Sequence, residues 1–282
     1  MIPLLSIINL AVEAWPLPGL ELGPMLDWSS QFNENVRAPI AEPPLVEQWN
    51  QAVNTATQRL LADRGNVSAD DEPAAALWQA MVYQRSHINA FARVLQEVVV
   101  GVGREEPVTI VDVGCGAGSV AFAFAESGFG DIRYVGNDHH HETRKLCRRM
   151  LAPLGDAMHV VKHQHQMSES EVLDSGVGYL FVTCSYLTGQ ATFDAKQLRA
   201  LVDQIGELAE RFGNLTVVAA DAVFSGSRLD QLFRLTQQSR STSTIMPVTT
   251  LDFDMLYPKL SGAPTDGILR PSEVNGFGLA IP

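Results

Sequence analysis

The stretch VDVGCGAGS, residues 111–119, decides the fold. With VTI before it, it makes a short apolar run, VTIVDVG (108–114), which ends in glycine and predicts a buried strand. AFAFAES (121–127) follows and predicts a helix. Between them lies Gly114-x-Gly116-x-Gly118. Glycines there let the backbone turn sharply and approach a ligand without a Cβ in the way. The helix that follows offers free N–H groups and the positive end of its dipole. In a doubly wound sheet this strand end is also the ligand edge.

The same alternation continues downstream. Strands are expected at IRYVGND (132–138), MHVVKHQ (158–164), GYLFVTCS (178–185) and LTVVAADAVF (215–224). Helices are expected at 141–155, 168–176, 194–213 and 227–238, and two more strands at STIMPVTTLDF (243–253) and GFGLAIP (276–282). Apolar strands alternating with helices predict a mostly parallel sheet covered on both faces. Upstream the character differs. Residues 1–45 hold Pro16, Pro18, Pro24, Pro39, Pro43 and Pro44 and read as an extended arm. Helices are expected over 45–63 and from Asp71 to Gly101, the second with an apolar face of Leu77, Met81, Ile88, Phe91, Leu95 and Val98. The division expected is an N-terminal arm and helical cap over 1–103 and an α/β domain over 104–282.

Composition narrows the function. Apolar residues at 46% are enough for a full core, and charged residues at 18% are too few for a disordered chain. A net charge of −12 opposes binding to a phosphate backbone, so nucleic acid is disfavoured as a partner. The densest basic cluster, Arg144, Lys145, Arg148 and Arg149, reads as one solvated helix face. Three cysteines, Cys115, Cys147 and Cys184, form no CxxC pair and indicate neither a disulfide framework nor a zinc site. A cytoplasmic setting is expected. The apolar start MIPLLSIINLAVEAW lacks a basic flank and is too short to span a bilayer, so no membrane partner is expected.

Asp138 follows Gly118 by 20 residues at the end of the second strand. A carboxylate there can accept two hydrogen bonds from a ribose diol. Two cofactor classes fit that arrangement. A dinucleotide enzyme needs GxGxxG or GxGxxA, and Gly116-x-Gly118-x-x-Ala121 supplies the second form. Against an oxidoreductase, Asp112 lies two residues before the first glycine, where a carboxylate repels a pyrophosphate.

With Asp112-x-Gly114-x-Gly116-x-Gly118 and the trailing Asp138, residues 105–282 resemble the class I S-adenosylmethionine-dependent methyltransferases. The resemblance implies a doubly wound, seven-stranded sheet in the order 3-2-1-4-5-7-6, with S-adenosylmethionine as cofactor. It implies cofactor contacts from Asp112, Gly114, Cys115, Gly116 and Gly118 in the first turn, and from Ser185 after the fourth strand. Asp138 would hold the ribose, with His139 beside the adenine. The acid that many relatives carry after the third strand is missing from KHQHQMSE (162–169), where Gln164, His165, Gln166 or the Met167 backbone could replace it.

The acceptor is less legible. A general base is needed only if the acceptor holds a proton at neutral pH, and Tyr186, His87 and Asp221 are the catalytic candidates by position, with Tyr83 one helical turn from His87. A small-molecule or peptide acceptor fits the acidic balance. The segment SYLTGQ (185–190) is similar to the SYxLxE stretch of ribosome-assembly methyltransferase-like proteins, which keeps a non-catalytic alternative open. His139, His140 and His141, with His163 and His165, lack a completing carboxylate or cysteine set, so no metal is expected.

Overall fold

The computed structural model describes residues 73–151, 158–163, 165–170, 173, 178–188, 193–223, 227–257 and 268–282. The arm expected over 1–45 and the helix over 45–63 lie outside the described residues. The elements, in chain order, are α1 (Pro73–Val98), β1 (Val108–Val113), α2 (Ser119–Glu126), β2 (Ile132–Asn137), α3 (His141–Leu151) and β3 (Met158–Val161). Then come the single turn α4 (His165–Ser168), β4 (Tyr179–Ser185), α5 (Ala195–Phe212), β5 (Leu215–Ala222), α6 (Leu229–Ser239), β6 (Ser243–Tyr257) and β7 (Ile268–Ile281). The helix expected over 168–176 lies largely outside the described residues.

The seven strands form one sheet in the order β3-β2-β1-β4-β5-β7-β6. The first five strands pair in parallel, and β7 runs antiparallel to both β5 and β6. This is the Rossmann-like sheet that the resemblance to class I methyltransferases implies. All six residues of β1 are buried, as a central strand covered on both faces requires.

Both β6 and β7 run longer than the sequence indicates. Pro247 interrupts the apolar pattern, but β6 is the edge strand, where a missing backbone donor costs no ladder bond. Register shifts between Thr244 and Met246 and between Met246 and Thr249 absorb the irregularity.

One face of the sheet is covered by α1, α2 and α3, the other by α5 and α6. Pro73 opens α1 at the position where a missing N–H costs nothing. Its periodic residues Ile88, Phe91 and Leu95 are fully buried, and Val94 and Val98 lie against Gly276 and Gly278 of β7. A Cβ at Gly278 would come within 2.6 Å of Val98 Cγ2, so the glycine lets the helix sit close on the sheet. Thus α1 shares one core with β1, β2 and α2 and reaches the ligand edge from that face. On the opposite face α5 starts at Asp194, whose carboxylate accepts from the N–H groups of Lys196 and Gln197 while Gln197 Oε1 accepts from the Asp194 N–H.

Candidate functional site

Two loops meet at the C-terminal edge of the sheet, one after β1 and one after β2. Gly114, Gly116 and Gly118 all adopt positive φ, at 71°, 52° and 84°. Their surroundings differ. A Cβ on Gly114 would strike Leu187 Cδ1 at 2.7 Å, and one on Gly118 would strike Leu151 Cδ2 at 2.8 Å. A Cβ on Gly116 would meet nothing within 4 Å among the described residues. The outer glycines therefore serve close packing, whereas Gly116 borders open space at the strand ends.

The β2 loop is tied to this turn. Asn137 accepts from Cys115 N–H through its carbonyl at 2.8 Å and from Gly114 N–H through Oδ1 at 3.3 Å. Asp138 Oδ2 accepts from Gly116 N–H at 3.3 Å, and Oδ1 accepts from His140 N–H at 2.9 Å. Its side chain is 12% exposed. Asp138 is thus more than an open carboxylate: it bridges both loops, with lone pairs left over for a further donor.

Arg144 holds the other side of the β2 loop. It is buried and donates to the carbonyls of Asp138 at 2.8 Å and His139 at 2.7 Å. Arg148 donates to the Val160 carbonyl at 2.7 Å. Of the basic face expected to be solvated, Arg144 is instead buried and satisfies the carbonyls of the β2 loop, while Arg148 stays exposed as it donates to β3. The carbonyls of the β2 loop and of β3 that these guanidinium groups meet are not visible in helix periodicity.

Asp112, expected among the cofactor contacts, lies in the strand beneath the glycine turn. It is 1% exposed and accepts from Tyr134 Oη at 2.7 Å and Thr183 Oγ1 at 2.9 Å, bridging β2, β1 and β4. Burial pushes its carboxyl up to about 7, against the pull of those two hydroxyls and with a smaller push from Asp138. In this position it fixes the strand end beneath the glycine turn. Neither Tyr134 nor Thr183 stood out in the sequence, because each looks like an ordinary strand residue.

Ser185 ends β4, and its buried Oγ has no hydrogen-bond partner among the described residues. Tyr186 follows at φ 56°, the one non-glycine with positive φ among the described residues. Such a conformation costs energy outside glycine and persists where surrounding contacts impose it. Here Tyr186 N–H donates to the Ala220 carbonyl at 2.8 Å. The ring lies on the imidazole of His87 from α1, with centroids 3.9 Å apart and planes at 16°. Burial pulls His87 down to about 4, so the stacked imidazole is neutral at physiological pH. The structure brings His87 and Tyr186 together, as position alone had left open; the side chain of Tyr83 lies outside the described residues.

Asp221, the third candidate for substrate handling, is 1% exposed. It accepts from Thr188 Oγ1, from Ser227 Oγ at 3.3 Å and from Ala222 N–H at 2.9 Å. Asp221 thus clamps the loops after β4 and β5. Cys184 is buried beside it, with its thiol pushed up by burial.

The remaining residues border the same edge. His139 is exposed, and its Nδ1 lies 3.9 Å from Asp138 Oδ1. Asp138, His139 and His140 bring one ligand atom each within 4.8 Å of one another. His165 begins α4 after β3. Gln166 Oε1 accepts from His163 N–H at 3.2 Å, Met167 is fully buried, and Gln164 lies outside the described residues.

No family model matches the chain, and no curated protein matches it. Among solved structures it is similar to a SAM dependent methyltransferase from Aquifex aeolicus, at 13% identity and TM-score 0.44 over 75% of this chain and 99% of that one. It is also similar to a cyclopropane-fatty-acyl-phospholipid synthase-like protein from Lactobacillus casei, at 14% identity and TM-score 0.43 over 70% and 90%. Precorrin-6y C5,15-methyltransferase from Geobacter metallireducens gives 12% identity and TM-score 0.42 over 71% and 88%. At such low scores the likenesses carry no functional argument, which rests on this chain's own residues. No helix among the described residues is long and apolar enough to cross a membrane.

Proposed function

We propose that this protein is an S-adenosylmethionine-dependent methyltransferase acting on a small-molecule or peptide acceptor. The observation that carries the reading is the pairing of Gly116 with Asp138. A left-handed turn open to the strand ends lies hydrogen-bonded to an acid with spare lone pairs. The Ser185 Oγ at the same edge, unpartnered among the described residues, is a polar group that a ligand would satisfy.

When bound, the cofactor supplies an electrophilic methyl group on a sulfonium. The residues of this chain bind, orient and exclude water. Asp138 would hold the ribose hydroxyls, the Gly114–Gly118 turn would border the amino-acid part, and Ser185 would donate or accept alongside it. His139 would border the adenine. The His87–Tyr186 stack would form a flat wall against which the acceptor is aligned for in-line displacement. Neutral and half-buried, His87 is a weak base, so an acceptor that loses its proton readily suits the site better than an unactivated alcohol.

Charge repulsion by Asp112 no longer separates this reading from a dinucleotide oxidoreductase, since Asp112 is buried and its carboxyl is raised. Topology separates them instead: the dinucleotide fold has the order 3-2-1-4-5-6, whereas here an antiparallel β7 is inserted beside β5. Calorimetric titration with S-adenosylhomocysteine and with NAD tests the cofactor. Binding to the first alone supports the proposal, and binding to NAD alone overturns it. Incubation with methyl-labelled cofactor and fractionated extract then tests transfer. Binding without transfer to any fraction would favour a non-catalytic binding protein.

A further inference from the structure

The glycine turn carries a thiol that the proposed reaction does not use. Cys115 Sγ lies 3.9 Å from Cys147 Sγ, and both are free and buried. Cys115 stands between Gly114 and Gly116, and Cys147 lies on α3, one helical turn beyond Arg144. The two sulfurs thus join the elements that build the two halves of the ligand edge.

We propose that Cys115 and Cys147 form a reversible disulfide that distorts the glycine turn and weakens nucleoside binding; the binding effect rests on the function proposed above. A disulfide brings the sulfurs to about 2.0 Å. Closing the gap draws Cys115 toward α3, and the flanking glycines at φ 71° and 52° give way more readily than the packed helix. That movement strains the bonds from Cys115 N–H to Asn137 and from Gly116 N–H to Asp138, which hold the two loops in register.

The chemistry needs an oxidant, here a hydroperoxide. Cys115 is 5% exposed and Cys147 fully buried, so Cys115 meets the oxidant first. Its sulfur takes the terminal oxygen, becoming a sulfenic acid while the hydroperoxide leaves as an alcohol or water. The Cys147 sulfur then attacks the sulfenic sulfur, the S–S bond forms, the S–O bond breaks, and water departs with the thiol proton. Contact with Cys147 and burial push the Cys115 thiol up, so the pair rests as thiols and oxidation quickens as pH rises.

The test uses the full chain treated with hydrogen peroxide in a series from about pH 7 to about pH 9, since the raised Cys115 thiol yields thiolate only toward the alkaline end. Thiols are counted after denaturation, and peptides are mapped without reduction. The expected result is loss of two thiols per chain, with a Cys115–Cys147 linked peptide. S-adenosylhomocysteine affinity should fall about tenfold or more and recover with dithiothreitol. Cys147→Ser, with Cys147→Ala as a second variant, should bind like the reduced parent and keep that affinity after peroxide. Hydrogen exchange over 114–118 should rise in the oxidised parent and not in the Cys147 variants. No linked peptide, a link through Cys184, or a link that leaves exchange over 114–118 unchanged overturns the proposal. If the reduced parent fails to bind the nucleoside, the functional reading falls, while mapping and exchange still decide the disulfide.

Discussion

The Asp138 carboxylate accepts a hydrogen bond from the backbone N–H of Gly116 at 3.3 Å, so the candidate ribose acid also ties down the glycine turn. Two consequences of removing it can therefore be measured apart. Asp138→Ala should lose about 2–4 kcal/mol of S-adenosylhomocysteine binding, roughly thirty-fold to a thousand-fold, from charge-assisted hydrogen bonds. It should also lower unliganded stability by about 1–3 kcal/mol, because the N–H groups of Gly116 and His140 lose their acceptor. Asp138→Asn should fall between in both. Calorimetry and denaturant unfolding give the two numbers; binding within about threefold of the parent would place the ribose acid elsewhere.

Gly116 and Gly118 should separate binding from packing. Alanine at either position bears a left-handed penalty of about 1–2 kcal/mol. At Gly118 the new Cβ also meets Leu151, so Gly118→Ala should be the less stable protein. At Gly116 it enters open space, so Gly116→Val should stay folded and lose cofactor affinity. Melting temperature and affinity measured together check the contrast. Normal binding by Gly116→Val would remove the turn from the site.

Asp112 and His87 should shape stability with opposite signs. The folded Asp112 carboxyl sits at about 7 against 3.8 for the free side chain, so between those values the native state holds more protons than the unfolded one. Stability from this group falls as pH rises from about 4 to about 7 and is level above. His87 is lowered from 6.5 to about 4, so the unfolded state holds more protons in that interval, and its contribution rises with pH there. The two partly cancel in the parent. Asp112→Asn should leave the rising part alone, so its stability relative to the parent should improve from pH 5 to pH 7, as read by denaturant unfolding. Parallel parent and variant curves would mean that Asp112 does not titrate in that interval.

The stack of His87 on Tyr186 should matter for the acceptor more than for the cofactor. His87→Ala removes the ring face and is expected to raise the acceptor KM or lower kcat by about ten-fold or more, with S-adenosylhomocysteine affinity nearly unchanged. Since burial holds His87 near 4, the parent pH–rate profile should show no imidazole limb between pH 6 and 8. A limb there that vanishes in His87→Ala would show that the imidazole does titrate during turnover.

Much of this arrangement is written locally. VTIVDVG and its glycines are enough to indicate a buried strand ending in a turn, since apolar runs and left-handed turns depend on a residue and its near neighbours. Alternation of apolar strands with helices likewise sufficed for a parallel sheet, and the resemblance supplied its order. The spacing to Asp138 marked the acid at the second strand end. What only the tertiary structure decided is which partner each polar group finds. Asp112 turns to Tyr134 and Thr183, Asp221 to Thr188 and Ser227, and Arg144 to the carbonyls it would otherwise leave bare. Tyr134, Thr183 and Thr188 come from strands and loops far apart in the chain and are brought within hydrogen-bond range by sheet register, whereas the partners of Arg144 and Ser227 lie five or six residues away and meet through the folding of their own loops. The packing of α1 on Gly276 and Gly278, which carries His87 to Tyr186, has the same origin: a helix periodicity tells which face is buried, and only the assembled sheet offers the surface that buries it.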